Sequence, residues 1–150
     1  MKFLSTAIVL GCISLCGCGV REANLARIEF NSHKFEKQRP VTAAEKAALI
    51  KYVKEMYFDP YTLRDIEVSS AAPVMGGTGA IGEGYKGTDF LVCLKVNAKN
   101  RYGAYTGRKF KVHRFNELGV ILAENEDYDF CADPQLRYGS FPELAKIMTN

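Results

Sequence analysis

The sequence predicts an α+β domain: one long N-terminal helix packed on a small antiparallel β-sheet, followed by a short C-terminal helix. Two observations carry this expectation. A capping box, Thr42-Ala43-Ala44-Glu45, opens a stretch of helical periodicity running to about Tyr57. Three later segments, near 63–70, 89–96 and 109–115, alternate apolar and polar residues with the period of two expected of half-buried strands.

Ahead of that domain, residues 1–17 read as a leader and residues 18–40 as a lipidated cysteine and tether. Lys2 supplies a positive start, and Phe3 to Leu15 is apolar, broken only by small residues. That order belongs to a secretory signal, whereas a spanning helix takes about 20 apolar residues in a row. Leu15-Cys16-Gly17-Cys18 has the form of a bacterial lipobox, with Leu at −3, Gly at −1 and Cys18 as the residue that receives lipid. Gly11 before Cys12 offers a second cleavage option, but it leaves a very short apolar region and an odd cysteine count. Gly19 stands where inner-membrane retention favours Asp. The expected address is therefore the cell envelope, lipid-anchored at the outer membrane and facing the periplasm.

The 150-residue length leaves room for one domain, placed at 41–150. With 47% hydrophobic and 25% charged residues, the chain is neither disordered nor in need of a second membrane span. The net charge of +3 loses one unit when Lys2 leaves with the leader, which is too mild a balance for a nucleic-acid partner. Attachment to the membrane is expected through the lipid. Of five cysteines, Cys12 and Cys16 fall in the leader and Cys18 takes lipid, so Cys93 and Cys131 remain. In an oxidising compartment such a pair forms a disulfide. A metal-binding or reactive thiol would want more ligands or a nearby base. Only His33 and His113 are available, and no Cys-x-x-Cys or His-x-x-x-His spacing occurs. No metal and no cofactor are expected.

Gly19 to about Pro40 shows little periodicity and reads as a spacer, with a short strand possible at 26–30. The helix opened by Thr42 places Leu49, Val53 and Met56 on one face, supported by Ala48, Tyr52 and Tyr57, and leaves Lys46, Lys51, Lys54 and Glu55 to water. Pro60 disfavours a helical Asp59 and ends it. In the strand near 63–70, Arg64, Ile66 and Val68 oppose Leu63, Asp65, Glu67 and Ser69. The second strand gathers Phe90, Val92, Leu94 and Val96 on one face. In the third, Phe110 and Val112 point one way, while Lys109, Lys111 and His113 point to the other, expected to be solvated. Leu118-Gly119 signals a turn before the run 120–123. The final helix, 141–148, takes Ser140 as N-cap, Pro142 early and Glu143 in its first turn.

Gly77-Thr78-Gly79-Ala80-Ile81-Gly82 matches the spacing of a dinucleotide loop, but it leads into a strand rather than a helix, so a hairpin loop is expected. Residues 125–133, NEDYDFCAD, lack the Gly and closing Glu of a calcium loop, and Glu124, Glu126, Asp127 and Asp129 are expected in a polar loop. The basic strand face, Lys109, Lys111 and His113 with Arg108 and Arg114 beside it, could meet anionic head groups or polysaccharide, with Tyr102 and Tyr105 adding stacking.

The most distinctive segment runs from Cys93 to Gly107, CLKVNAKNRYGAYTG. Asn97, Asn100, Gly103 and Gly107 tolerate positive φ and lie between two strands. With the Asp59-Pro60 turn, this segment resembles a small family of bacterial envelope lipoproteins and secreted proteins of unassigned activity. That family carries a Cys strand running into V-N-A-K-N, then an aromatic, Gly, Tyr and Gly. The resemblance spans roughly 42–115 and departs from the pattern at Leu94, where Gly is frequent. It implies compartment and fold rather than an activity. The expected function is a non-catalytic binding or scaffolding module, with Asn97, Asn100, Tyr102, Tyr105, Arg108, Lys109, Lys111 and His113 as its surface and another envelope protein or a polysaccharide as partner. A rival reading is an envelope hydrolase using His113 with Asp89 and Asp129. A third is a lipoprotein of the surface-exclusion type.

Overall fold

The computed structural model describes residues 25–26, 28–75, 88–125 and 128–147. The leader, Cys18 and the glycine run 77–82 lie outside them.

Helix α1 (Ala43–Met56) starts where its cap dictates. The Glu45 amide donates to Thr42 Oγ1 at 3.2 Å, and the Thr42 amide donates to Glu45 Oε2 at 2.8 Å. Glu45 is only 1% exposed, and Arg39 donates to both of its oxygens at 2.7 and 2.9 Å. Burial pushes this carboxyl up, but the Arg39 guanidinium and the Thr42 amide outweigh it and hold it below the usual range. Leu49 and Val53 are buried as the periodicity requires, whereas Met56, at the helix end, is 58% exposed.

A 3₁₀ turn (Pro60–Thr62) leads into β1 (Arg64–Ser69), β2 (Ala72–Met75), β3 (Thr88–Lys99), β4 (Tyr105–Phe115) and β5 (Ile121–Asn125). Helix α2 (Tyr128–Ala132), β6 (Tyr138–Ser140) and α3 (Pro142–Ile147) complete the described chain. The strands form one antiparallel sheet in the order β5-β4-β3-β1-β6, with β2 also paired to β3.

This architecture corrects the expected fold. Among the described residues strands dominate, and there is no long N-terminal helix over a small sheet. The sheet has six strands, while α1 has 14 residues, α2 five and α3 six. Two causes are visible. Strands β2 and β6 are four and three residues long, too short to display alternation. Helix α1 cannot extend backward, because Arg39 forms a β-bridge with Ala71 and Thr42 is extended at φ −72°, ψ 164°. The strand expected at 26–30 is absent, since residues 28–32 are helical. The end of the expected tether is docked: Gln38 Nε2 donates to the Gln135 carbonyl at 2.8 Å, and Phe35 stacks on Phe130 with centroids 5.6 Å apart. Of the polar loop expected at Glu124, Glu126, Asp127 and Asp129, Glu124 lies in β5 and Asp129 in the short helix α2, while Glu126 and Asp127 lie outside the described residues.

The register assigns every side chain of the two central strands to a face, because residues directly opposite in an antiparallel pair share one. Val92 faces His113, Phe90 faces Phe115 and Leu94 faces Lys111. This first face, with Val68, carries the main core and is covered by Leu49 and Val53 from α1 and by Phe141 and Leu144 around α3. The second face presents Cys93 and Val112 beneath Phe130, Cys131 and Leu136, with Phe35, Phe110 and Tyr138 at its margin. Cys93 and Cys131 are joined in a disulfide across a sequence separation of 38, with Cα atoms 5.8 Å apart. The Tyr138 hydroxyl donates to the Cys131 carbonyl at 2.7 Å, and the Cys93 amide donates to buried Ser69 Oγ at 2.8 Å. Both faces of β4 are therefore covered from Phe110 to Phe115, and the expected solvation of Lys111 and His113 is corrected, while Lys109 stays exposed.

The turn at Leu118-Gly119 forms as expected, with the Gly119 amide donating to the Asn116 carbonyl at 3.0 Å. Gly119 sits at φ +76°, and a Cβ there would lie 2.8 Å from Ala44 Cβ at the start of α1. Gly119→Ala should therefore destabilise the domain by about 1–2 kcal/mol in urea unfolding, through left-handed strain plus the clash. Gly103→Ala shares the positive φ but meets open space, so its loss should be the smaller of the two.

Candidate functional site

The β3–β4 hairpin tip is built by Asn100. Its Oδ1 accepts the amides of Tyr102 at 2.9 Å and Ala104 at 3.1 Å. Its carbonyl accepts the Gly103 amide at 2.9 Å, and its own amide donates to the Ala104 carbonyl at 2.8 Å. Asn100, expected on a binding surface, is thus consumed by the turn. Tyr102 stands 78% exposed beyond it, with Arg101 donating to its hydroxyl at 2.8 Å.

The register shifts between Asn97 and Lys99. Past this irregularity, the Tyr105 hydroxyl donates to the Thr62 carbonyl at 2.8 Å and ties the hairpin to the 3₁₀ turn. Between them opens a groove of about 610 Å³, walled by the 3₁₀ turn, the first residues of β1, the hairpin and the start of α3. Inside it the Arg64 guanidinium lies 4.4 Å from the Tyr105 ring centroid and Lys99 Nζ lies 5.5 Å from the same centroid. A cation over a ring face is drawn by its quadrupole, so one fixed ring positions both. Asp65, also lining the groove, adopts φ +52° where β1 shifts register against β3. Asn97 Nδ2 donates to Asp65 Oδ2 at 3.3 Å, while Asn97 Oδ1 is buried without a hydrogen-bond partner among the described residues.

The remaining expected surface residues disperse. Arg108 faces Asn97 on the second side of the sheet, 3.9 Å from Glu67, which also pairs with Lys95 at 2.7 Å. Lys109 is exposed on the first side. Lys111 Nζ donates to the Tyr52 hydroxyl at 3.0 Å and lies 3.7 Å from Glu124. His113 has 0% exposure, so it belongs to the interior and not to a binding surface. Of the expected set only Tyr105 lines the groove. Its companions Tyr61, Arg64, Asp65 and Lys99 escaped the sequence reading, because nothing local in 60–66 points toward residue 105.

The acid–base set of the hydrolase reading is not brought together. Asp89 is buried on the second face, where Arg114 Nε donates to it at 2.6 Å. His113 projects from the first face, and Asp129 is exposed on α2. Among the described residues, no group of three or more His, Cys, Asp or Glu is placed to hold a metal ion.

No family model, curated protein or solved structure matches this chain.

Proposed function

We propose that this chain is a lipid-anchored protein of the bacterial cell envelope whose domain is a non-catalytic binding module on the periplasmic side of the outer membrane. The observation that carries the reading is the Cys93–Cys131 disulfide. If the leader removes Cys12 and Cys16 and lipid takes Cys18, these two are the whole remaining complement. Bonds of this kind persist in oxidising compartments. The lipobox and the resemblance of residues 93–107 to envelope lipoproteins support the same address.

The polarity of the fold supports a binding role. Asn31 Oδ1 accepts the Met75 amide at 2.9 Å and holds the incoming chain where β2 ends, opposite Thr88 at the start of β3. Lys99 closes the other end of this 12-residue strand, about 35–40 Å away at 3.3 Å per residue. The groove beside Lys99 lies at the end of the sheet opposite Asn31, and we read it as the surface for a protein or polysaccharide partner.

Cys18→Ala tests the anchor. The variant should lose fatty-acid labelling and move from the membrane fraction to the soluble one. Labelled protein that stays in the membrane would overturn the proposal.

A further inference from the structure

We infer that the groove beside Tyr105 binds an acidic saccharide, a sugar carrying a phosphate or carboxylate group; this rests on the binding-module reading above and names what the module holds. Most partly buried cations of this domain are committed to carboxylates: Arg39 to Glu45, Lys95 to Glu67, Lys111 to Glu124 and Arg114 to Asp89. Arg64 and Lys99 are different. Exposed Arg64 and half-buried Lys99 have no carboxylate within 4.0 Å among the described residues, yet both line the groove and lie within 5.5 Å of the Tyr105 ring centroid. The ring cannot drift, because its hydroxyl is bonded to the Thr62 carbonyl. Two prepositioned cations with free N–H donors suit an anionic oxygen group, and holding them before the ligand arrives lowers the ordering cost of binding.

Two further features say what carries that anion. Asp65 lines the same groove, and a bare anion would be repelled by its carboxylate. A sugar instead offers hydroxyls that a carboxylate accepts from, so both signs of charge find a role in one ligand. Tyr61, also on the groove wall, is 61% exposed and presents an aromatic surface to a flat apolar body. The strained backbone of Asp65, a non-glycine residue at φ +52°, marks a position held by its surroundings rather than by its own preference.

The test uses the full chain in neutral detergent, followed by amide NMR during titration with glucose 6-phosphate, glucuronate, inorganic phosphate and glucose. The two acidic sugars should bind tightest and shift the amides of Arg64 and Lys99. Inorganic phosphate and glucose, each offering half of the recognised chemistry, should bind more weakly. The phosphate and carboxylate arms show which acid the site prefers. Arg64→Gln with Lys99→Gln should weaken acidic-sugar binding by about tenfold or more, with an unchanged melting profile, while Lys99→Arg should retain it. Tyr61→Ala should weaken the sugars and leave inorganic phosphate unaffected. Acidic sugars binding no better than glucose, or binding that survives the double replacement, would overturn the inference. Equal affinity for inorganic phosphate and glucose 6-phosphate would overturn its saccharide part. These outcomes are independent of the Cys18→Ala result, so a silent groove leaves the anchor standing and a failed anchor leaves the groove to be judged alone.

Discussion

Replacing Cys93 and Cys131 together by alanine should lower the stability of the domain by about 3–4 kcal/mol, the chain-entropy value for a closed loop of this length. The separation of 38 residues sets that figure. The loss should fall first on the second face. Helix α2 has five residues, far too few to persist alone. It is held by the disulfide, by the Tyr138 hydroxyl on the Cys131 carbonyl and by Phe130 packed in the smaller core cluster. Both cysteines are buried, so alanines would also leave unfilled volume beside Val112 and Leu136. Urea unfolding of the oxidised protein against the double variant measures the loss, and the reduced wild type should fall close to the variant. Hydrogen exchange should show amides near 130–136 opening before those of β3. A deficit below about 1 kcal/mol would show that packing holds α2 without the bond.

The parts of the fold that were legible in the sequence are those whose cause is local. Thr42 and Glu45 announce the start of α1 because a capping box is a contact between residues three apart. Strands β3 and β4 show through their alternation. What stayed hidden depends on distant neighbours. The pattern Lys109-Phe110-Lys111-Val112-His113 looks like one wet and one dry face, yet α1 covers the first face and residues 35, 130 and 138 cover the second. Strand β6, three residues long and closing the sheet beside β1, has no signature of its own. The groove is hidden for the same reason. Its walls come from 61–66, 99–105 and 140–145, three segments brought together only by the strand order. The cysteine pair is the exception, legible at long range because subtraction left two.

His113→Leu should make the domain both simpler and more acid-resistant. The imidazole is wholly buried, and neither ring nitrogen has a hydrogen-bond partner among the described residues. Its neighbours are the Tyr52 ring of α1, edge-on at 4.5 Å, the Phe115 ring at 6.4 Å, Val92 across β3 and Glu124 across β5. Burial pushes its pKa from 6.5 down to about 4, with Glu124 pulling the other way and Lys111 adding to the depression. The unfolded chain therefore takes this proton at a higher pH than the native one. The stability tied to neutral His113 is complete above about pH 6.5 and drains as pH falls toward 4, by about 3 kcal/mol at about 1.4 kcal/mol per pKa unit. Against the 5–15 kcal/mol typical of a domain, that is a large share. Glu45, held below the ordinary carboxylate range, also destabilises the native state on protonation, but only at pH values below the ordinary glutamate value of 4.5. The window from 6.5 to 4.5 therefore isolates the histidine. Urea unfolding near pH 7 and near pH 4.5 should show the wild type losing about 2 kcal/mol and His113→Leu losing almost none. Near neutral pH the leucine variant should be no less stable, because it removes two buried nitrogens that have no partner. A wild type flat across this window, or a variant that keeps the slope, would place the acid-sensitive group elsewhere in the domain.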